Sequence, residues 1–124
     1  MLLDTDVLVD ILRSHPPALA WLKALTNAPI ALPGLAAMEL VQGCRNVAEQ
    51  QQVEALLLRC TLHWPSAADC LRAFNDFTAF HLSNNLGLLD ALIGETAVGL
   101  GLPLATFNLK HYRVIPNLQT VQPY

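Results

Sequence analysis

Charge is what this sequence has least of: only 14% of its 124 residues are Asp, Glu, Lys or Arg, against about 25% in an average soluble domain, while 53% are hydrophobic. Basic residues are the scarcer sign, with 7 Lys and Arg against 10 Asp and Glu, for a net charge of −3. The chain therefore has no global field to draw it to nucleic acid, and any affinity for phosphate has to be local, as when a bound divalent cation reverses the field of an acidic site. Long apolar runs are also missing. The longest uncharged apolar stretch, Thr96 to Phe107, is broken by Pro103 and falls short of the roughly 20 residues that span a bilayer, so no membrane role is expected. No basic segment precedes the apolar residues after Met1 and no small-residue cleavage pattern follows, which reads as no secretory signal and a cytoplasmic protein.

Cysteines are few and scattered. Cys44, Cys60 and Cys70 are odd in number and lack CxxC spacing, which argues against a disulfide framework, a zinc site or a redox pair and for thiols packed as small hydrophobes. The histidines, His15, His63, His81 and His111, are equally dispersed. There is no repeat, low-complexity tract or linker, and residues 1–124 are the length of one domain. The hydrophobic excess leaves apolar surface over, which marks a subunit or partner interface.

Short apolar runs alternate with helical periodicity along the whole chain. Leu2-Leu3 reads as a buried strand, followed by a helix from Val7 to Arg13 capped by Thr5 or Asp6, then a second helix from about Pro17 to Leu25. Pro29 to Leu32 predicts a strand before the Pro33-Gly34 turn. Helices follow around Ala36 to Gln42 and Val47 to Leu58. Cys60 to Trp64 predicts a third strand, and Ser66 caps a helix to about His81 that is expected to bury Leu71, Phe74, Phe77 and Phe80. The spacing of Leu89, Leu92, Ile93, Thr96, Ala97 and Leu100 predicts another helix ended by Gly99 and Gly101. Pro103 to Phe107 and Leu118 to Val121 complete the set as a strand and an edge strand. This order predicts an α/β protein, a three-layer α/β/α sandwich on a mainly parallel sheet, with its site beyond the carboxyl ends of the strands.

Three acids stand out against that frame. Asp4 falls where the first strand passes into its helix, a position at which capping alone is also a sufficient role. Glu39 sits inside Leu35-Ala36-Ala37-Met38-Glu39-Leu40-Val41, where an unpaired carboxylate costs several kcal/mol unless it finds a cation or water. Asp90 opens the apolar helix Leu88 to Gly94, where it also complements the helix dipole. Together they suit Mg²⁺ or Mn²⁺, which prefer hard oxygen ligands and keep several waters. Glu95, roughly 140° around the helix from Asp90, is expected on another face. Thr106 and Asn108 end the fourth strand beside the same pocket, as hydrogen-bonding groups behind the acids. Lys110, His111 and Arg113 form the one local basic cluster, either facing a phosphate backbone or solvated.

In this order, Leu2-Leu3-Asp4-Thr5-Asp6-Val7-Leu8, Met38-Glu39-Leu40, Asp90-Ala91-Leu92-Ile93 and Thr106-Phe107-Asn108-Leu109-Lys110-His111-Tyr112 resemble the successive motifs of PIN-domain proteins, especially the VapC-type toxins of bacterial toxin–antitoxin pairs. The resemblance spans nearly the whole chain. It implies a Mg²⁺- or Mn²⁺-dependent endoribonuclease with Asp4, Glu39 and Asp90 as catalytic acids and Asp4 and Asp90 as the metal-linked pair. It also implies a homodimer, an RNA substrate and a cognate antitoxin that masks the pocket. The chain departs from the family pattern twice: Asn108 stands where many relatives carry a fourth Asp, and Asp6 where many have Asn. Two other readings share parts of this sequence. Asp4-Thr5-Asp6 resembles the nucleophile loop of haloacid-dehalogenase-like phosphatases, although Val7-Leu8 replace the usual glycine. A non-catalytic PIN-like binding module would use the same acids to receive an arginine from a partner.

Overall fold

Leu2 and Leu3 are buried on both faces, as the strand at the middle of a parallel sheet must be. The computed structural model describes residues 1–25 and 29–124. In chain order it contains β1 (Leu2–Leu3), α1 (Thr5–Leu12), α2 (Pro16–Ala24), β2 (Ile30–Pro33), α3 (Gly34–Gln42), α4 (Val47–Leu57), β3 (Cys60–His63), α5 (Ala67–Asn84), α6 (Leu88–Leu100), β4 (Leu104–Ala105), α7 (Leu109–Tyr112) and β5 (Thr120–Val121). The strands form a five-stranded sheet in the order β3-β2-β1-β4-β5, every pairing parallel, with β5 at the edge as expected.

This order fixes where a site can form. From β1 the chain winds outward through β2 to β3, then returns to place β4 on the other side of β1. Right-handed crossovers in the two directions put helices on opposite faces and open a crevice between the carboxyl ends of β1 and β4. The register there is set by Leu2 N–H donating to Pro103 O at 2.9 Å and Asp4 N–H donating to Ala105 O at 3.0 Å, while Thr106 N–H donates to Val121 O at 3.0 Å. Asp4 and Thr106 therefore leave neighbouring strands side by side. Beneath them Leu2, Val7, Leu8, Leu32, Ala36, Ile93, Leu104 and Tyr112 belong to one buried cluster that joins the sheet to α1, α3, α6 and α7.

Several local expectations are corrected. The first helix starts at Thr5, and its N-cap is Asp4, whose carboxylate accepts from Thr5 N–H; neither Thr5 nor Asp6 plays that part. The capping box of Ser66 and Asp69 does start α5, but the helix runs to Asn84 and leaves Leu71 and Phe74 63% and 64% exposed. The inward stripe of α5 carries Asp69, Ala73 and Asp76, with Phe77 and Phe80 partly buried beside it. Two carboxylates occupy that stripe because Arg72 lies between them: its guanidinium bonds both Asp69 Oδ1 and, at 2.8 Å, Glu95 Oε2 of α6. Glu95, only 2% exposed, thus clamps α6 to α5 and lies away from Asp90's partners, as its angular offset predicts. The four-residue helix α7 has no counterpart in the sequence reading, being too short to generate a period.

The clamp carries one acid more than its single arginine satisfies. Asp76 is 8% exposed, and its Oδ2 is buried without a hydrogen-bond partner among the described residues. Burial, then a hydrogen bond and charge repulsion from Glu95, raise its pKa from 3.8 to about 7 against the opposing pull of Arg72. The folded protein therefore holds a proton that the unfolded chain releases near pH 4. The contribution of Asp76 to stability falls as pH rises from there to about 7. Asp76→Asn is expected to melt higher than the parent protein at pH 8, by roughly 5 °C, with the difference shrinking toward zero by pH 4, in thermal melts across that range.

Candidate active site

Four carboxylates from three elements meet at the crevice. Asp4, 6% exposed, is held from two sides: its Oδ1 accepts from Thr5 N–H at 2.8 Å and its Oδ2 from the Thr106 hydroxyl at 2.8 Å. Asp6 follows on the first turn of α1. Its Oδ1 accepts from Val7 N–H at 2.7 Å and its Oδ2 from Phe107 N–H at 2.9 Å, with the Thr106 hydroxyl at 3.3 Å. Glu39 reaches in from α3, where its Oε1 accepts from the Thr5 hydroxyl at 3.2 Å. Asp90, on the first turn of α6, accepts from the Tyr112 hydroxyl at 3.4 Å and has His111 Nδ1 3.7 Å from its other oxygen.

The supporting residues are as specific as the acids. Thr106 is fully buried; it donates to Asp4 and accepts from Asn108 N–H at 3.0 Å, which fixes the turn out of β4. Asn108 directs its side-chain amide to His111 Nδ1 at 3.2 Å and N-caps α7, so it stands one contact back from Asp90. Of the basic cluster, His111 turns toward the acids, while Lys110 and Arg113 are exposed. Sequence reasoning passed over Tyr112 as an individual residue and took Thr5 only as a helix cap. Tyr112 is completely buried, and a tyrosine four residues after a turn Asn, at the end of a helix of only one turn, is a signal that a hydroxyl is being delivered inward.

Electrostatics set this cluster apart. Burial and then the neighbouring charge of Asp6 push Asp4 from 3.8 up to about 6, although Thr5, Thr106 and Tyr112 all pull the other way. Burial also raises Glu39, opposed by the Thr5 hydroxyl and reinforced by Asp90 and Asp6. Asp90 is raised by burial as well, with His111 and Tyr112 countering it. Tyr112, surrounded by burial, Asp4, Asp90 and Glu39, is driven well above its ordinary value and stays a neutral donor. Among the described residues no Lys or Arg forms a salt bridge with any of the four acids. Nor do any three Asp, Glu, His or Cys side chains form a ready-made metal cage among those residues. The donors are oxygens alone, in an arrangement that two carboxylates and retained water suit better than a closed shell.

A cavity of about 550 Å³ opens from this cluster. Thr5 and Glu39 form its inner end, Val9, Leu12 and Leu40 its apolar wall, and Arg45, ion-paired with Glu49 at 2.9 Å, its rim.

A model of the PIN domain family matches residues 1–115 of this chain. Ribonuclease VapC10 of Mycobacterium tuberculosis is 33% identical over 121 residues, which cover 96% of this chain and 90% of that protein. A toxin–antitoxin complex from Klebsiella pneumoniae contains a chain 28% identical to this one, with a TM-score of 0.74 and coverage of 99% and 97%. A chain of the DNA-bound VapBC of Salmonella typhimurium superposes with a TM-score of 0.80 at 20% identity, covering 98% of each, and so shares the fold.

The burial of Asp4 against Asp6 has a measurable cost. With its folded pKa near 6 and its ordinary value at 3.8, Asp4 binds more protons in the folded than in the unfolded chain between those limits, so its contribution to stability declines as pH rises through that window. Without divalent ions, Asp4→Asn is expected to be more stable than the parent by about 1–3 kcal/mol at pH 8, and no more stable at pH 4. Denaturant titrations in EDTA at the two pH values check this.

Proposed function

The chain belongs to the PIN domain family, and on that premise we propose that it is a metal-dependent endoribonuclease, the toxin of a toxin–antitoxin pair, acting on RNA phosphodiester bonds through Asp4, Glu39 and Asp90. The observation that carries this reading is a mutually repelling set of carboxylates at the switch point of the sheet, Asp4 buried and Asp6, Glu39 and Asp90 half-buried, in no salt bridge with a Lys or Arg among the described residues. A cation would offset the cost of such an arrangement, since an uncompensated buried charge costs several kcal/mol.

Asp4 and Asp90 are the residues that would hold the ion, with Glu39 on the remaining side. Hard oxygen donors and room for water fit Mg²⁺ or Mn²⁺. When bound, the ion supplies Lewis-acid polarisation of the phosphate and a water of lowered pKa for in-line attack that leaves a 5′-phosphate. The protein's own contribution is orientation. Thr106 and Thr5 N–H leave Asp4 little rotational freedom, the Thr5 hydroxyl aims Glu39, and Tyr112, kept protonated, steadies Asp90 as charge builds nearby. Asn108 and Asp6 brace the same wall through Thr106 and Phe107.

The relatives support the partners. The Klebsiella chain comes from a toxin–antitoxin complex, and the cavity that opens at Glu39 offers a cognate antitoxin a route to mask the acids. Leu71, Phe74 and Leu82, exposed on α5, provide apolar surface for a homodimer. Among the described residues no helix is long and apolar enough to cross a membrane, and the cytoplasm, where RNA is at hand, is the compartment we assign.

Purified protein is expected to cut a mixed RNA pool in Mg²⁺ or Mn²⁺ and to stop in EDTA. Asp4→Asn and Asp90→Asn should each lower the rate at least about 100-fold, with folding verified by circular dichroism. Cutting that survives EDTA would remove the metal from the account. A folded, partner-free protein that never cuts RNA would leave a binding module.

A further inference from the structure

A second feature lies one helical turn from the carboxylates and is used by none of the groups above. Residues four apart on a helix share a face, so Asp10 follows Asp6 along α1. Because Asp6 accepts from Phe107 N–H at 2.9 Å, the Phe107 ring leaves the end of β4 beside that face, and it is 38% exposed. Tyr124 is drawn to the same place by its hydroxyl, which donates to Asp10 Oδ2 at 2.8 Å. Its ring centroid lies 4.8 Å from that of Phe107 at an interplanar angle of 68°, and 6.1 Å from that of His15. Asp10, His15, Pro17, Phe107 and Tyr124 together line a shallow, open depression of about 380 Å³, distinct from the cavity that opens at Glu39.

The chemistry of this lining is selective. It contains no Lys or Arg, so it does not grip a phosphate. Two aromatic rings set edge to face, with a proline and an imidazole, present flat surfaces for another flat ring. An aromatic side chain that served only the core would be buried, whereas Phe107 keeps more than a third of its surface open at the mouth of the acidic crevice. The polar handle is a carboxylate, an acceptor that suits an exocyclic amino group.

We propose that these five residues form a nucleobase subsite, in which one base of a single-stranded RNA stacks against Phe107 while its backbone passes the carboxylates, with bases bearing an amino group preferred over uracil through Asp10. The proposal rests on the RNA-cutting reading for its substrate class and goes beyond it in naming a specificity-determining surface.

The test uses the full chain and short single-stranded RNAs carrying one 2-aminopurine, whose fluorescence falls when it stacks. Ca²⁺ replaces Mg²⁺ because it takes the same oxygen donors. Binding is expected to quench the probe at one position. Phe107→Ala should bind about 5- to 100-fold more weakly and lose the quench, while Phe107→Trp restores both. An abasic nucleotide at that position should weaken binding to the parent protein by the same factor and to Phe107→Ala no further. Asp10→Asn should bring the affinities for cytosine and uracil at that position together. Equal binding by Phe107→Ala, equal binding of abasic RNA, or no RNA binding at all would overturn the subsite. Cleavage in Mg²⁺ is scored in parallel: cutting without base dependence sinks the subsite and leaves the nuclease, and base-dependent binding without cutting does the reverse.

Discussion

Like charges crowded out of water repel, and at the ends of β1 and β4 this fold crowds four of them. Asp4, Asp6 and Glu39 each keep a backbone or threonine donor, and Asp90 keeps Tyr112 and His111, yet Asp4 is still driven up to about 6. Hydrogen bonds at neutral donors stabilise a carboxylate without cancelling its charge, so they orient the set while leaving the field in place. Everything nearby follows from holding that field still: a fully buried threonine at the end of β4, a tyrosine carried inward by a one-turn helix, and an asparagine that closes the turn between them.

The clamp between α5 and α6 shows what the fold does with acids when the end is structural. Asp69, Asp76 and Glu95 are as buried as Asp4, but Arg72 runs between them and bonds two, and a retained proton on Asp76 accounts for the third. Most of the charge is offset internally, and the helices are joined. At the crevice no arginine among the described residues forms a salt bridge with the acids, and an imidazole lies 3.7 Å from Asp90. The difference between the two clusters lies in their counter-ions. The crevice gathers four acids, of which only Asp4 is buried, where the clamp gathers three that all are.

Much of this was legible in the sequence, because the signals concerned are local and strong. Eleven of the twelve elements were visible as apolar runs or helical periods, and their alternation dictated the parallel sheet. Asp4, Glu39 and Asp90 were visible as isolated charges in apolar surroundings, and their separation in sequence hid nothing once the strand ends were known. The family resemblance read from four ordered motifs is borne out by the match over residues 1–115. The failures were of another kind. Leu71 and Phe74 were expected inside α5, and hydrophobicity alone supports that; the inward stripe was decided by an Arg72 contact to Glu95, 23 residues away. Tyr112 and the Phe107–Tyr124 contact depend on the β4–β5 register, for which strands of two residues leave almost no pattern.

The departures from the family pattern at positions 6 and 108 acquire a physical meaning in this geometry. An Asp at 108 would add its charge at the N-cap of a four-residue helix, beside His111 and one contact from Asp90. Asp6 instead places a charge on the first turn of an eight-residue helix, where the dipole favours it and two backbone N–H groups, of Val7 and Phe107, are already aimed at its oxygens. From there it raises Asp4, Glu39 and Asp90 together. With Asp6 the crevice holds four carboxylates, the charge absent at position 108 standing instead on the first turn of α1. The price is that Asp6, stitched to the β4 turn, is a fixed part of the wall. Its charge reaches the crevice, while its oxygens are committed to backbone N–H groups and the Thr106 hydroxyl.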